Sequence, residues 1–298
     1  MFVRDAGPTA SRIAGVDHMG SRIELRGATA LVTGAGSGIG RATALALARR
    51  GAQVLCVDLD EATAKTTAES CLDRGVDAVA YQCDVADRRA VQALADQVGR
   101  EHGPLGVLVN NAGVGMSGGF ADMTLEDWDW IRSINLDGVV NGCHAFGPAM
   151  LAEGRGQIVN MSSGLGYVMH ASEVAYCTTK AAVLAFSRCL RADWRRNGVG
   201  VSAVCPGVIN TPILDGTRFL GEMGTTEAQE LATRAFSRGH SPDVVADAVL
   251  RAIDRDKAVV PAGWEAQLGW FASKLLPLRV SEVMARPAPA WATKARRR

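Results

Sequence analysis

Short apolar runs alternate with longer helical patterns along most of this chain, and this alternation constrains the fold more than any other feature. The predicted strands are 28–33, 52–58, 77–84, 104–110, 156–162, 200–205 and 257–262. The predicted helices are 39–51, 61–74, 87–102, 124–150, 174–197 and 242–254. Apolar strands joined by helices form parallel sheets that are covered on both faces. We therefore predict an α/β fold, a doubly wound seven-stranded Rossmann sheet of order 3-2-1-4-5-6-7.

Composition and charge narrow the class of protein. The 298 residues are 48% apolar and 21% charged, as in globular proteins, and the net charge of +1 gives no electrostatic reason to expect a nucleic-acid partner. No apolar run approaches the roughly eighteen residues that a membrane-spanning helix needs. The N-terminal residues carry charges where a signal peptide requires an apolar stretch. We therefore expect a cytoplasmic protein.

The cysteines and histidines indicate neither disulfides nor a metal site. The seven cysteines are odd in number and scattered, with no CxxC pair. This favours reduced, mostly buried thiols in a cytosolic protein. The five histidines show no HxxxH spacing that would place two imidazoles on one helix face. We predict no metal.

A glycine-rich loop, TGAGSGIG at 33–40, joins the first predicted strand to the first predicted helix. Its glycines allow a tight turn and a close approach to a pyrophosphate, and the helix N-terminus supplies N–H groups for phosphate. Asp58 ends the second strand, where an acid can bind the ribose hydroxyls of NAD and repel the additional phosphate of NADP. Ser37, where a phosphate-binding site would have a basic residue, also favours NAD over NADP. Asp58 has an alternative role as the N-cap of the next helix.

Tyr176 and Lys180 stand four residues apart in SEVAYCTTKAA, the spacing that places two side chains on one helix face. By chance alone this pair would occur in about one chain in twenty of this composition, so the pair by itself is weak evidence. A tyrosine ring lying along a lysine stem on a solvated face would explain it equally well.

Several motifs in order resemble those of the classical short-chain dehydrogenase/reductases: TGAGSGIG, NNAG at 110–113, Asn135, Ser163, YCTTK at 176–180 and PGVINT at 206–211. The resemblance covers about residues 26–262. It implies a single catalytic domain over that range, an N-terminal tail at 1–25 and a C-terminal extension at 263–298. The chain is also similar to the reductase module that follows an epoxide hydrolase in some actinobacterial proteins.

The resemblance implies an oxidoreductase that transfers hydride between a nicotinamide and a secondary alcohol or ketone. Tyr176 would be the general acid/base, Lys180 would lower its pKa, Ser163 would hold the substrate oxygen, and Asn135 would anchor a water that relays the proton. Alternatives are a dinucleotide-binding regulator without turnover, an enoyl reductase and a 3-oxoacyl-thioester reductase.

The resemblance also implies a set of cofactor-binding residues, most of which lie in the loops that follow predicted strands. They are Gly34, Ser37, Gly38, Ile39, Gly40, Asp58, Leu59, Asp84, Val85, Asn111, Ala112, Gly113, Tyr176, Lys180, Pro206, Gly207, Val208, Ile209 and Thr211. Asn110, the first Asn of NNAG, is equally well explained as a brace between strands.

Substrate specificity is expected from loops 115–120 and 164–172 and from the insert 213–238. These segments supply a mainly apolar set, which predicts a lipophilic substrate: Met116, Phe120, Leu165, Tyr167, Val168, Leu214, Phe219, Leu220 and Met223. His170 and Glu173 are able to orient a polar group, but we expect both to face solvent.

The sequence of the C-terminal segment, 263–298, predicts a helix rich in aromatic and apolar residues, followed by a basic cluster. Such a helix can lie in a membrane interface, cover a neighbouring subunit or cap the substrate pocket. We favour packing over peripheral membrane contact. From the resemblance we expect a homodimer or homotetramer.

Overall fold

The computed structural model describes residues 23–277 and residue 280. Its main feature is a sheet of seven parallel strands in the order β3-β2-β1-β4-β6-β7-β9. These strands are β1 (Thr29–Thr33), β2 (Gln53–Asp58), β3 (Ala78–Gln82), β4 (Val107–Asn110), β6 (Gly156–Met161), β7 (Val199–Pro206) and β9 (Val259–Ala262). Counted along the predicted strands, this is the order 3-2-1-4-5-6-7, so the predicted Rossmann architecture is confirmed.

Two very short strands, β5 (Met116–Ser117) and β8 (Arg218–Phe219), pair with each other outside the main sheet. They join the loop after β4 to the segment after β7. The helices are α1 (Gly38–Arg49), α2 (Glu61–Leu72), α3 (Arg88–His102), α4 (Leu125–Arg132), α5 (Gly138–Ala152), α6 (Val174–Trp194), α7 (Thr226–Ser237), α8 (Pro242–Arg255) and α9 (Trp264–Leu275).

Each face of the sheet packs against its own layer of helices. One core contains side chains of α1, α2 and α8, and the other contains side chains of α3, α5 and α6. Neighbouring residues of a strand alternate between the two layers: Ala30 and Val32 belong to the first core, and Leu31 belongs to the second. Fully burying a valine or leucine side chain contributes about 1.5–3 kcal/mol, which favours apolar strands throughout.

The predicted helix over 124–150 is interrupted by one π-helical turn. The chain forms α4, then a π turn at Ser133–Asp137, then α5. Such single π turns inside α-helices are frequent at functional sites. This turn contains Asn135, one of the predicted catalytic residues.

The ends of the predicted domain are also described in part. Ile23 and Leu25, at the end of the predicted N-terminal tail, are buried in the first core. Residues 1–22 lie outside the described residues. Of the predicted C-terminal extension, α9 packs against the domain, and residues 278, 279 and 281–298 lie outside the described part.

Candidate active site

The glycine loop leaves space above the N-terminus of α1 because of its backbone geometry. Gly34 and Gly38 have φ angles of +63° and +48°, in the left-handed region that favours glycine. A Cβ at Gly40 would collide with the carbonyl oxygen of Gly34, so the helix packs there only with glycine. Ser37 is the N-cap residue, and its side chain makes no capping hydrogen bond. The first N–H groups of α1 therefore have no side-chain acceptor from their cap, which suits a bound phosphate.

Asp58 ties the end of β2 to the glycine loop. Its Oδ2 accepts a hydrogen bond from the backbone N–H of Gly36 at 2.8 Å, and its Oδ1 accepts one from Asp60 at 3.1 Å. The N-cap of α2 is Asp60, whose carboxylate accepts from the N–H groups of Ala62 and Thr63. The alternative role of Asp58 as that N-cap is therefore wrong.

A cavity of about 300 Å³ lies over the carboxyl ends of β1, β2 and β4. Most of the predicted cofactor-binding residues line it: Gly34, Ser37, Gly38, Ile39, Gly40, Asp58, Leu59, Asp84, Val85, Asn111, Ala112, Gly113 and Thr211. The lining also includes residues that were not predicted, which are Cys83, Val114, Ile134, Pro212, Ile213 and Gly216. We call this space the nucleotide cavity.

The NNAG segment is held between two strands. The Asn111 amide donates to the carbonyl oxygen of Thr33 at 2.9 Å, and the Thr33 hydroxyl accepts from the backbone of Asn111 and Ala112 at 3.0 Å each. Asn110 is buried, and its amide donates to Asn160 Oδ1 at 2.9 Å. Asn110 therefore braces β4 against β6, one of the two roles considered for it.

Asn135 is fully buried and fixes the chain after NNAG. Its Oδ1 accepts from the Val114 N–H at 2.8 Å, and its Nδ2 donates to the Val114 carbonyl at 2.9 Å. A Cβ at Gly113 would lie 3.0 Å from Asn135 Oδ1 and 3.2 Å from Lys180 Nζ. The glycine therefore lets the asparagine and the lysine approach the same point of the backbone.

Ser163 and Tyr176 come together at the end of β6. The Ser163 hydroxyl lies close enough to the Tyr176 phenol to lower its pKa, although burial is the larger effect and raises the pKa of Tyr176 to about 12. Ser163 Oγ also accepts from the Leu165 N–H at 3.1 Å. The neighbouring Ser162 instead donates to the Lys180 carbonyl at 2.7 Å, which is a bond that holds α6 to β6.

Lys180 is buried beside both groups. Its Nζ lies 5.7 Å from the centre of the Tyr176 ring and donates to the Met161 carbonyl at 3.1 Å. Burial lowers the pKa of Lys180 to about 8, because the charged form loses its hydration. Ser163 lowers the Tyr176 pKa and Glu173 and Cys177 raise it, while the lowering by Lys180 stays a prediction.

A second cavity, of about 410 Å³, has Ser163 and Tyr176 in its wall and adjoins the nucleotide cavity at Thr211 and Ile213. We call it the substrate cavity. Its lining is mainly apolar and includes seven of the predicted residues: Met116, Leu165, Tyr167, Val168, Leu214, Phe219 and Met223. Pro206, Gly207, Val208 and Ile209, predicted as cofactor-binding, also line this cavity. Lys180 lines neither cavity.

Two of the predicted apolar residues lie elsewhere. Phe120 is 61% exposed and packs edge-on against Trp128, with the ring centres 6.4 Å apart. Leu220 packs against Met116 and Ile131 in a small cluster under the loops. Neither residue lines the substrate cavity.

The insert 213–238 and the C-terminal helix also contribute lining residues that were not named individually from the sequence. Ala232 and Phe236 of α7 and Glu265 and Ala266 of α9 line the substrate cavity. The Tyr167 hydroxyl donates to the Ala266 carbonyl at 2.6 Å, and the Tyr167 and Trp270 rings are 5.2 Å apart. Burial raises the pKa of Tyr167. Of the roles considered for the C-terminal helix, α9 thus caps the substrate cavity of its own chain.

Glu265 links this helix to the loop after β7. Its Oε1 accepts from the Val208 N–H at 2.8 Å, and its Oε2 lies 2.8 Å from His240 Nε2. The hydrogen bonds to His240 and the backbone lower the pKa of Glu265, although burial opposes this. The carboxylate therefore holds the loop after β7 and the segment before α8 to the cap of the cavity.

His170 lies in the loop 164–172 and Glu173 directly follows this loop, but the two side chains differ in exposure. His170 is exposed, as expected. Glu173 instead lines the substrate cavity, so the expectation that it faces solvent is wrong. The tight turn at His170, whose carbonyl accepts from the Glu173 N–H at 3.1 Å, directs residue 173 inward.

Residues 23–277 contain neither a candidate metal cluster nor a candidate membrane-spanning helix. In this range, no three His, Cys, Asp or Glu side chains come together as a metal would require. No helix of the same range combines the length and the apolar content needed to cross a bilayer. The seven cysteines all lie in this range and are unpaired thiols, six of them buried.

Residues 28–218 match the family model described as short chain dehydrogenase. The chain is 46% identical over 253 residues to "Probable oxidoreductase EphD" of Mycobacterium tuberculosis, covering 83% of this chain and 43% of the relative. It thus spans less than half the length of that relative. It is 40% identical over 231 residues to "D-threitol dehydrogenase" of Mycolicibacterium smegmatis, covering 77% of this chain and 87% of the relative.

Solved structures show the same fold with either nucleotide. A short-chain dehydrogenase/reductase from Burkholderia phymatum in complex with NAD is similar with a TM-score of 0.78 and 30% identity, covering 90% of this chain and 98% of the other. A short-chain dehydrogenase from Sphingobium yanoikuyae in complex with NADPH has a TM-score of 0.71 and 28% identity, covering 88% of this chain and 97% of the other. The chain belongs to the short-chain dehydrogenase/reductase family of oxidoreductases.

Proposed function

We propose that this protein interconverts a lipophilic secondary alcohol and its ketone with NAD(H) as cofactor. The observation that carries the proposal is the position of Ser163 and Tyr176 in the wall of an apolar cavity that adjoins the nucleotide cavity. A hydroxyl and a phenol at one point can hold an alcohol oxygen and exchange its proton. The substrate carbon would then lie beside the nucleotide cavity.

The nucleotide cavity fits a dinucleotide. Its glycine loop carries no side chain at Gly36 or Gly40, where a Cβ would collide with Thr63 and with Gly34, respectively. Gly38 and Ile39 would hold the pyrophosphate at the N-terminus of α1. The bound nicotinamide would accept the hydride of the alcohol or donate one to the ketone.

The choice of NAD over NADP rests on Asp58 and its surroundings. Its carboxylate is held toward the glycine loop by the Gly36 N–H, where it can accept hydrogen bonds from ribose hydroxyls. A phosphate at this position would meet a carboxylate, next to Ser37 and Leu59 rather than a basic side chain. Both nucleotides occur among the similar structures, so the preference rests on these residues alone.

Within this function, each residue has a defined part. Ser163 holds the substrate oxygen, and Tyr176 accepts its proton in oxidation and returns one in reduction. The phenolate needs stabilisation, because burial holds the Tyr176 pKa near 12. Lys180 supplies a cation 5.7 Å from the ring centre. Asn135 positions Gly113 and Val114 beside Lys180, and the water relay at Asn135 stays a prediction.

The apolar lining supports a lipophilic substrate. The relative from M. smegmatis is named for a polyol, but the cavity here has an apolar lining that favours an alcohol with an apolar body. This lining includes Met116, Leu214, Phe219 and Phe236.

We further propose that the protein is cytoplasmic and that it forms a homodimer or homotetramer. Light scattering of the purified protein would measure the oligomeric state.

The test is steady-state turnover of the purified protein with NAD and NADP on a panel of long-chain and cyclic secondary alcohols. We expect NADH formation, with NAD preferred, and a large loss of kcat in Ser163→Ala. Absence of turnover across the panel, with the nucleotide bound, would favour a binding protein without catalysis. A preference for NADP would overturn the role of Asp58.

A further inference from the structure

Glu173 is the N-cap residue of α6, but its carboxyl does not cap the helix. Acidic residues at an N-cap usually accept hydrogen bonds from the backbone of the first turn. Here the Glu173 side chain makes no such bond, and the residue lines the substrate cavity instead.

The backbone of Glu173 is fixed from both sides. Its N–H donates to the His170 carbonyl at 3.1 Å, and its own carbonyl accepts from Cys177 at 2.7 Å. It also pairs with Gly118 in a parallel bridge, where the Gly118 N–H donates to the Ser172 carbonyl at 2.8 Å. The direction of the side chain is therefore set by an ordered frame on two segments of the chain.

The environment of the carboxyl is apolar and close to the proposed reaction centre. Burial raises the pKa of Glu173 to about 7, and the nearby Ser117 hydroxyl offsets this in part. The charge of Glu173 in turn raises the pKa of Tyr176, three residues along the helix. Side chains at this spacing have their Cβ atoms about 5–6 Å apart.

Among the described residues, Glu265 supplies the second carboxyl group in the lining of the substrate cavity. Both of its oxygens are occupied, one by the Val208 N–H and one by His240. Within the described part of the chain, Glu173 has the Ser117 hydroxyl beside it but no comparable cation or backbone donor, and a buried carboxyl with so few partners is costly. A substrate group that hydrogen-bonds to it would offset that cost.

We propose that Glu173 is a specificity-determining residue that binds a second hydroxyl group of the substrate, one or two carbons from the reacting carbon. This inference rests on the proposed function, which it deepens from a lipophilic alcohol to a lipophilic diol or hydroxy ketone. A hydroxyl fits because it donates to a carboxylate and both donates to and accepts from a neutral carboxyl. Glu173 and Tyr176 line the same cavity three residues apart, which favours a second hydroxyl close to the reacting carbon.

The experiment compares octane-4,5-diol with octan-4-ol, which differ by one hydroxyl, with NAD at saturation. The variants are Glu173→Leu, which removes both hydrogen-bonding functions, and Glu173→Gln, which keeps a donor and an acceptor. Glu69→Leu, on the exposed surface of α2, is the matched control. kcat and KM are measured separately for each alcohol.

We expect the wild type to prefer the diol in kcat/KM by about 10- to 100-fold, since a site built to bind a hydroxyl rejects the analogue that lacks it. Glu173→Leu should lose this preference, because the carboxyl binds the additional hydroxyl of the diol, whereas a change in the Tyr176 pKa acts on both alcohols alike. Glu173→Gln should keep most of the preference. The Glu69→Leu control should match the wild type.

Three results would overturn the inference while the proposed function stands: a wild type without preference, a Glu173→Leu variant that keeps it, or equal losses on both alcohols. Turnover of neither alcohol, nor of any alcohol in the wider panel, would overturn the proposed function and this inference with it.

Discussion

The nucleotide cavity and the substrate cavity adjoin at Thr211 and Ile213, but they are built in different ways. The first is shaped largely by backbone: glycines at the end of β1, the N-terminus of α1 and the NNAG turn. The second is shaped by side chains from β5, the loop after β6, α7 and α9, which are far apart in the sequence. A backbone site depends on a few short motifs, whereas a side-chain site depends on how distant segments pack.

Lys180 is buried beside Tyr176, and its replacement should have the largest effect. Lys180→Met should lower kcat/KM by about 10²- to 10⁴-fold, because the phenolate of Tyr176 loses its cation. The same variant should be more stable at pH 7, by up to about 3 kcal/mol, because the pKa of the folded lysine is lowered to about 8 from 10.5.

The sign follows from proton linkage. The unfolded chain binds more protons between pH 8 and 10.5, so this lysine costs stability at neutral pH and the cost disappears as the pH rises through that window. Urea unfolding of both proteins at pH 7 and at pH 10 measures the difference. A Lys180→Met variant that is less stable at both values would contradict the cause assigned to the shift.

Gly40→Ala tests the backbone character of the nucleotide cavity. The added Cβ would collide with the Gly34 carbonyl, so the loop must move and the affinity for NADH should fall by at least about 10-fold. Gly99→Ala in α3 is the matched control, because no atom lies within 4 Å of its Cβ, and it should gain up to about 1 kcal/mol of stability. Fluorescence titration with NADH and thermal unfolding give the two readouts.

Asp58→Ala should change nucleotide preference without removing activity. Loss of the carboxylate removes repulsion of the additional phosphate and the acceptor for the ribose hydroxyls, so the NAD/NADP ratio of kcat/KM should fall about 10-fold. An unchanged ratio would show that other residues set the preference. Asp73→Ala, beyond α2 and exposed, serves as the control.

Phe236→Ala should have the smallest effect and should act on the substrate cavity alone. Phe236 is half-buried in the lining contributed by α7. Its truncation should raise KM for a long-chain alcohol a few-fold, by the loss of about 1 kcal/mol of apolar contact, and leave KM for NAD unchanged. An equal rise in KM for the alcohol and for NAD would contradict the claim that Phe236 acts on the substrate cavity alone.

The comparison of the cavities also explains what the sequence predicts and what it does not. The strand order, the glycine loop and the residues around Asp58 follow from local patterns, because a parallel strand, a tight turn and a helix start each need particular residues within a few positions. The π turn around Asn135 left no signal in the apolar periodicity.

The wall of the substrate cavity depends on contacts across long stretches of sequence. Tyr167 bonds to Ala266, 99 residues away, and Val208 bonds to Glu265, 57 residues away. Apolar periodicity predicts that a helix such as α9 is buried on one side. It does not predict which segment of the chain the buried side packs against. The inward direction of Glu173 likewise results from the turn at His170 and the bridge to Gly118.

The central claim is that Tyr176 exchanges the proton of the substrate oxygen in the wall of the substrate cavity. It is tested most directly by single-turnover formation of NADH from a secondary alcohol in Tyr176→Phe and in the wild type, with NADH affinity measured in parallel. The account predicts a rate at least about 10²-fold lower in Tyr176→Phe, with NADH affinity unchanged within a few-fold. Turnover by Tyr176→Phe at the wild-type rate would contradict it.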